Sequence, residues 1–210
     1  GFCNELMSKT NLTKFSLASI APSFAFFGCQ FAWAVQDGNV SVYLRELGLP
    51  TKHISYAWIL GPITGIIFQP LIGTLSDNCH TCIGKRRPFI IIGSIVLSLS
   101  LILFPYTNII FNNENISLIF AILLFWFLDF STNILEGPLR AITSDTLTSD
   151  EQLLSNSFFG IMNGLSSTLG FGLGYLISKT NIIFIISSIV MIITCILTCV
   201  LVRENINKNG

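Results

Sequence analysis

Ile116-Ser-Leu-Ile-Phe-Ala-Ile-Leu-Leu-Phe-Trp-Phe-Leu128 runs without a break into Asp129-Phe-Ser-Thr-Asn-Ile-Leu-Glu-Gly-Pro-Leu-Arg140. The first part is uncharged and reads as most of a membrane-spanning helix. The second part continues that helix but carries Asp129, Glu136 and Arg140. At about 100° per residue, Asp129, Asn133, Glu136 and Arg140 fall on one face, within an arc of roughly 60°. An ionised side chain at mid-bilayer costs about 2.5–3.5 kcal/mol on insertion scales. Three of them on one stripe must face protein or water, so the stripe marks a path or site for a polar solute or an ion.

The rest of the chain agrees with a membrane setting. Of its 210 residues, 51% are hydrophobic and 10% charged, with mean hydropathy +0.72; a soluble domain carries about 25% charged residues. The formal net charge is zero, which argues against a nucleic-acid partner. Six spans of about 20 residues follow: Phe15–Tyr43, Ser55–Ser76, Pro88–Phe111, Ile116–Ile142, Leu153–Ser178 and Ile182–Val202. They leave a segment 1–14 before the bundle 15–202 and a tail 203–210 after it. Lys9, Lys14, Lys85, Arg86, Arg87, Arg203 and Lys208 gather on one side. The positive-inside rule makes that side cytosolic, with both termini inside. The multi-pass chain is expected in the plasma membrane or an endomembrane.

The spans repeat by chemistry. Spans one and four carry polar stripes, with Gln30, Asp37 and Ser41 on a face of span one and Trp33 beside it. Spans two and five are rich in glycine, at Gly61, Gly65 and Gly73 and at Gly160, Gly164, Gly170, Gly172 and Gly174. Small residues at such spacing let helices approach closely. Spans three and six are Ile-rich and suit lipid. The order polar, glycine, apolar thus occurs twice. Three being odd, the two triplets are inverted in the membrane, the pattern of half a transporter. The expected fold is all-α: six transmembrane helices as two inverted three-helix repeats.

Between spans two and three, Gly73-Thr-Leu-Ser-Asp77 is followed by Gly84-Lys-Arg-Arg-Pro88. Asp77 at a helix end can take charge-assisted hydrogen bonds from arginine. Gly84 permits a tight turn, and Pro88 suits a first helical turn. Gly73, Asp77, Gly84, Lys85, Arg86 and Arg87 form a candidate gating loop, and their order resembles the signature loop of the major facilitator superfamily. Cys79-His80-Thr81-Cys82 inside it is at most half a metal site, with no second ligand pair nearby.

A wider set of motifs is more specific. Phe31-Ala-Trp-Ala-Val-Gln36, Leu47-Gly-Leu-Pro50, Trp58-Ile-Leu-Gly-Pro-Ile63, Gln69-Pro70 and Gly84-Lys-Arg-Arg-Pro-Phe-Ile90 resemble the proton-coupled sucrose transporters. These are symporters of the glycoside-pentoside-hexuronide:cation type within the major facilitator superfamily. Asp129, Asn133, Glu136-Gly-Pro138, Arg140 and Asp145 resemble their fourth helix. The resemblance implies a twelve-helix symporter with sugar between two six-helix halves, this chain being the N-terminal one. The chain starts at Gly1 rather than Met, and its missing half or a second chain is an expected partner, along with the bilayer and a small solute.

Under this resemblance Asp129 is the proton carrier, with Arg140 as the charge that tunes it and Glu136 as an additional acid. Gln30, Gln36, Asp37 and Asn133 are candidates to hydrogen-bond sugar hydroxyls, and Trp33 to stack on a sugar ring. The family pattern has glutamine where Glu136 stands and an uncharged residue where Asp37 stands, so the coupling ion or solute can differ. No cofactor is expected beyond the proton. The alternatives are a proton-linked carrier of a vitamin or organic anion, with Arg140 grounding the anion, and a truncated non-transporting membrane protein. An enzyme is not expected: the histidines are His53 and His80 alone, with no nucleotide-binding loop or zincin motif.

Overall fold

The computed structural model describes residues 17–79, 81, 83–177 and 179–202. Segment 1–14 with Lys9 and Lys14, the tail 203–210 with Arg203 and Lys208, and His80 and Cys82 of the short loop lie outside them. All regular structure among the described residues is helical. The first span is α1 (Leu17–Glu46). The second is α2 (Thr51–Trp58) followed by α3 (Leu60–Asp77). The third is α4 (Arg87–Leu103), a 3-10 turn at Phe104–Tyr106 and a short α5 (Thr107–Ile110). Then come α6 (Glu114–Thr146), α7 (Ser149–Leu176) and α8 (Thr180–Leu201). The six expected spans are therefore present, with ends moved by a few residues.

Local chemistry sets several of these ends. Asn113 caps α6, its Oδ1 accepting from the backbone N–H of Asn115 at 3.0 Å and of Ile116 at 3.3 Å. Thr148 and Glu151 form a capping box at the start of α7. Pro105 has no N–H to continue the ladder, and the third span passes there into its 3-10 turn. With 33 residues, α6 is about 50 Å long, longer than the roughly 30 Å of hydrocarbon. Its last turn can therefore stand clear of the apolar layer.

Among the described residues, four spans are long and apolar enough to cross a membrane: α2–α3, α4–α5, α6 and α8. The other two, α1 and α7, carry the Gln30, Gln36, Asp37 and Asn39 set and the Ser, Asn and Gly run Ser155–Gly174. Their polarity suits contact with protein rather than lipid.

Packing links the triplets. α1 lies on α7 and α8, and α6 lies on α3 and α4; contacts of α1 with α6 and of α4 with α8 close the bundle. Exchanging α1 with α6, α3 with α7 and α4 with α8 maps this pattern onto itself, as two inverted triplets require. Each polar helix thus buries itself against the glycine-rich and apolar helices of the other triplet.

One expectation changes. Spans three and six are not simply lipid-facing. Their Ile92, Ile95, Leu99, Ile189, Ile193 and Ile196 are exposed, but Ser94, Ser98, Ser187, Ser188 and Thr198 are buried. The Ser94 Oγ reaches Cys195 Sγ at 3.1 Å and the Ser188 Oγ donates to the Ser98 carbonyl at 3.2 Å, joining α4 to α8. On α8, Thr198 Oγ1 donates to the Ala21 carbonyl at 2.8 Å and accepts from the Ala25 N–H at 2.9 Å. A hydroxyl inserted beside Pro22 in this way completes the backbone pairing of α1.

The glycines also divide. A Cβ at Gly170 would stand 2.6 Å from Ala34 Cβ and 3.4 Å from the Phe31 carbonyl oxygen. Gly160, Gly164 and Gly172 have nothing within 4 Å. Close approach therefore operates at the α1–α7 contact, not along the whole glycine run. Gly170→Ala is expected to cost about 1–3 kcal/mol by forcing α1 and α7 apart. Gly164→Ala is expected to be neutral or slightly stabilising, through the higher helix propensity of alanine. Thermal unfolding of the two variants in one detergent measures the difference, and equal midpoints would remove Gly170 from the contact.

Candidate functional site

The acid stripe of α6 is covered by α1 and α3. Asp129 is 2% exposed, and one of its carboxylate oxygens, Oδ1, accepts from Gln36 Nε2 on α1. The other, Oδ2, is buried with no hydrogen-bond partner among the described residues, as is Gln36 Oε1. Across from it α3 presents Gly61, where a Cβ would lie 3.0 Å from Asp129 Oδ2. The missing side chain lets the α3 backbone come this close to the acid.

One turn on, Asn133 is fully used. Its Nδ2 donates to Thr64 Oγ1 at 3.1 Å and to the Asp129 carbonyl at 2.8 Å, and its Oδ1 accepts from Gln69 Nε2 at 2.9 Å. The next turn holds Glu136. Its Oε1 accepts from Gln30 Nε2 at 2.6 Å, and its Oε2 from Gln69 Nε2 at 3.4 Å. Arg140 Nη2 stands 4.0 Å from Glu136 Oε1, with the guanidinium carbon 5.3 Å from the centroid of the Phe26 ring. One polar chain therefore runs Gln36, Asp129, Asn133, Gln69, Glu136, Gln30 and Arg140, across three helices.

The structure changes two expectations about these residues. Gln36 is the residue of α1 that meets Asp129, and Asp37 is on the exposed side of α1. Arg140 is not the neighbour of Asp129. Both lie on the same helix face, but about 16 Å apart along the axis, and the charge next to Arg140 is Glu136. Gln30, Gln36 and Asn133 spend amide donors on protein acceptors. Trp33 is half-buried on α1. Trp58 and Trp126 hydrogen-bond to Ser41 Oγ at 3.0 Å and to the Ala57 carbonyl at 3.2 Å, so they join α1, α2 and α6 rather than line a site.

Gln69 stands in the sequence as part of the Gln69-Pro70 motif, without a role, and Thr64 in the glycine-rich second span carries no charge to mark it. The available signal was the row Gly61, Gly65 and Gln69, four residues apart and hence on one face. That row is the face of α3 that meets Asp129, Asn133 and Glu136.

A second cluster lies at the end of the bundle where α3 and α6 finish and α4 begins. Arg86, just before α4, is the hub. It pairs with Asp77 of α3 and through Nε with Asp145 Oδ2 of α6 at 2.8 Å. Its Nη1 also donates to Ser76 Oγ at 2.5 Å and to the Gly73 carbonyl at 3.5 Å. Gly84 has φ +119°, a conformation that favours glycine. Arg87 donates to the Val202 carbonyl at the end of α8, and Lys85 is exposed. Burial works against the Arg86 charge, but the hydrogen bonds and charges of Asp145 and Asp77 outweigh it and hold the guanidinium above its usual value. Asp145 belongs to this cluster although the loop motif does not contain it. Of the Cys79-to-Cys82 motif only Cys79 and Thr81 are described, and no group of three His, Cys, Asp or Glu able to hold a metal occurs among the described residues.

The Arg86 side chain is 8% exposed, against 61% for Asp77 and 41% for Asp145. The exposed partners are screened, so removing either is mild, whereas removing the hub unties three helix ends. Arg86→Ala is expected to cost about 2–4 kcal/mol, and Asp145→Asn about 1 kcal/mol or less. Lysine cannot fork between two acids, so Arg86→Lys should fall between them. Thermal unfolding in detergent ranks the three. A loss from Asp145→Asn as large as from Arg86→Ala would remove Arg86 as the hub.

Two polar clusters now lie on one bundle: an acid stripe at the α1–α3–α6 junction and an arginine hub at the ends of α3, α4 and α6. The chain is 37% identical over 169 residues to the General alpha-glucoside permease of Schizosaccharomyces pombe, covering 77% of this chain and 31% of that protein. It is 33% identical over 161 residues to Sucrose transport protein SUC3 of Arabidopsis thaliana, covering 70% and 27%. The Sucrose transport protein SUT3 of Oryza sativa subsp. indica is likewise 33% identical over 161 residues, covering 70% and 32%. The chain thus spans less than a third of the length of these curated relatives. The model of the Major Facilitator Superfamily matches residues 23–209, which takes in both clusters and all but the first turns of the bundle. Six helices in two interlocked inverted triplets, together with this match, place the chain in the major facilitator superfamily.

Proposed function

We propose that the chain supplies the N-terminal half of a proton-coupled sugar symporter, with the solute between this bundle and a second one. The observation that carries the reading is Asp129. It is a carboxyl inside a membrane-spanning bundle, met on one oxygen by a neutral amide and on the other by no donor among the described residues. Such a group can take and release a proton at that oxygen, and no fixed cation among the described residues is paired with it. The relatives named for alpha-glucosides and sucrose support sugar as the solute class. Arg140, 62% exposed at its side chain, and Asp37, exposed on α1, are charged groups along the two polar helices open to a solute. Trp33 is a candidate to stack on a sugar ring, Gln30 and Gln36 act by holding the acids, and Asn133 acts by tying Thr64 and Gln69 of α3 to α6. The Arg86 cluster serves as the cytosolic latch, which sets both termini on the cytosolic side.

In the full-length polypeptide, a proton gradient should drive uphill uptake of an alpha-glucoside. Asp129→Asn keeps the hydrogen bond but loses the proton, so it is expected to abolish uphill uptake while leaving downhill exchange. If Asp129→Asn still concentrates solute under a pH gradient, Asp129 is not the coupling group.

Arg140 supports a second reading, a carrier of small organic anions. Its exposed guanidinium could pair with a carboxylate on the solute. A panel of sugars and organic acids separates the two readings. Alpha-glucoside uptake that excess organic anion does not compete away rejects the second, and competition by anions but not by sugars rejects the first.

A further inference from the structure

We infer that Gln69 is a positioning residue of the acid stripe, the group through which the charge on Glu136 sets how α3 sits on α6. The inference deepens the proposed function and rests on it for the transport measurement alone.

On its apolar side, α3 meets α6 through the rings of Phe68 and Phe130, with centroids 4.7 Å apart. Ile66, Ile67, Leu71 and Leu75 are exposed, and of its residues only Thr64 and Ser76 are buried. Its polar ties to the middle of α6 are two: Asn133 to Thr64, and the amide of Gln69. The Gln69 Nε2 has two hydrogens and two acceptors, Asn133 Oδ1 at 2.9 Å and Glu136 Oε2 at 3.4 Å. The first is a neutral bond. The second is longer but reaches a carboxylate, whose charge strengthens it. Glu136→Gln removes that charge, and the fork loosens.

The groups that face Glu136 make it the responsive partner. α1 brings Gln30 and Cys29, α6 brings Arg140, and α3 brings Gln69. Among the described residues, the only charge near Glu136 is Arg140, 4.0 Å away and exposed. Glu136 is thus held chiefly by amides, whose strength as donors depends on its charge. A shift of α3 then reaches Asp77 at its end, where Arg86 holds it.

Two measurements test this. The first needs no solute. In nanodiscs at one pH, the amides of Leu60–Asp77 are compared by hydrogen–deuterium exchange in wild type, Gln69→Leu, Glu136→Gln and the double variant. Each single variant should exchange several-fold faster than wild type, and the double variant should be no faster than the faster single one. A single variant that exchanges like wild type, or a double variant whose loss is the product of the two, overturns the inference whether or not the protein carries sugar. The second uses proton-driven uptake. Gln69→Glu and Glu136→Gln should each reduce it about tenfold, the order of one charge-assisted bond. The double swap restores an amide facing a carboxylate and should return uptake to within about twofold of wild type. A swap no better than the worse single variant overturns the inference. Absence of proton-driven uptake in wild type overturns the proposed function instead, and the exchange measurement still decides the role of Gln69.

Discussion

A carboxyl in the middle of a helix that crosses hydrocarbon must be met by donors from its neighbours, because lipid has none to give. Asp129 and Glu136 impose that requirement on α6, and much of the arrangement follows from it. α1 has to lie along α6 so that Gln36 and Gln30 reach the two acids. α3 has to come close on the other side, which it does where Gly61 leaves room for Asp129. Once its amide face is committed to α6, α1 has its remaining faces for the other triplet. There Gly170 of α7 admits Ala34, and Thr198 of α8 inserts at Ala21 and Ala25. The interlocking of the two triplets is thus tied to the covering of two acids.

What could be read from sequence is what a single helix determines. The 3.6-residue period placed Asp129, Asn133 and Glu136 on one face, and the structure has all three turned inward. The loop motif put Asp77 and Arg86 in one cluster, and they pair. Failures came where a second helix decides. Gln36 and Asp37 are consecutive and differ by about 100° in direction; only the position of α1 against α6 selects Gln36. Arg140 shares the face of Asp129, but a shared face says nothing of height, and three turns separate them. Spans three and six looked uniformly apolar because serine and threonine weigh little in a hydropathy sum. Their hydroxyls nevertheless turn inward and hold α4, α8 and α1 together.

The glycine runs show the same limit in another form. A glycine is needed where a backbone must come near something, and the sequence does not say what comes near. Gly61 and Gly170 meet Asp129 and Ala34, while Gly160 and Gly164 on the same kind of helix meet nothing within 4 Å. Gly73 of α3 is open as well, but most of the unfilled glycines, Gly160, Gly164 and Gly172, lie on α7, one of the two helices too polar to count as apolar spans. A face of small and polar residues has little to gain from lipid, since lipid tails pack against apolar side chains and satisfy no amide or hydroxyl.

The two polar clusters share their helices, and this joins them mechanically. α3 runs from Gln69 to Asp77, about 12 Å along its axis, and α6 runs from Glu136 to Asp145, about 13 Å along its own. At one end Gln69 ties the two helices; at the other Arg86 ties them through Asp77 and Asp145. Two stiff rods joined at both ends form a closed frame, in which a change at one tie must be taken up at the other or by bending a rod. Pro70 stands in α3 next to Gln69, and Pro138 in α6 two residues past Glu136. Each removes a backbone donor from its helix, so both rods are softest just beside the acid end of the frame. A shift at the Gln69 tie is therefore taken up by bending at these prolines before it strains the arginine hub, since the hub sits on the stiffer ends of both rods.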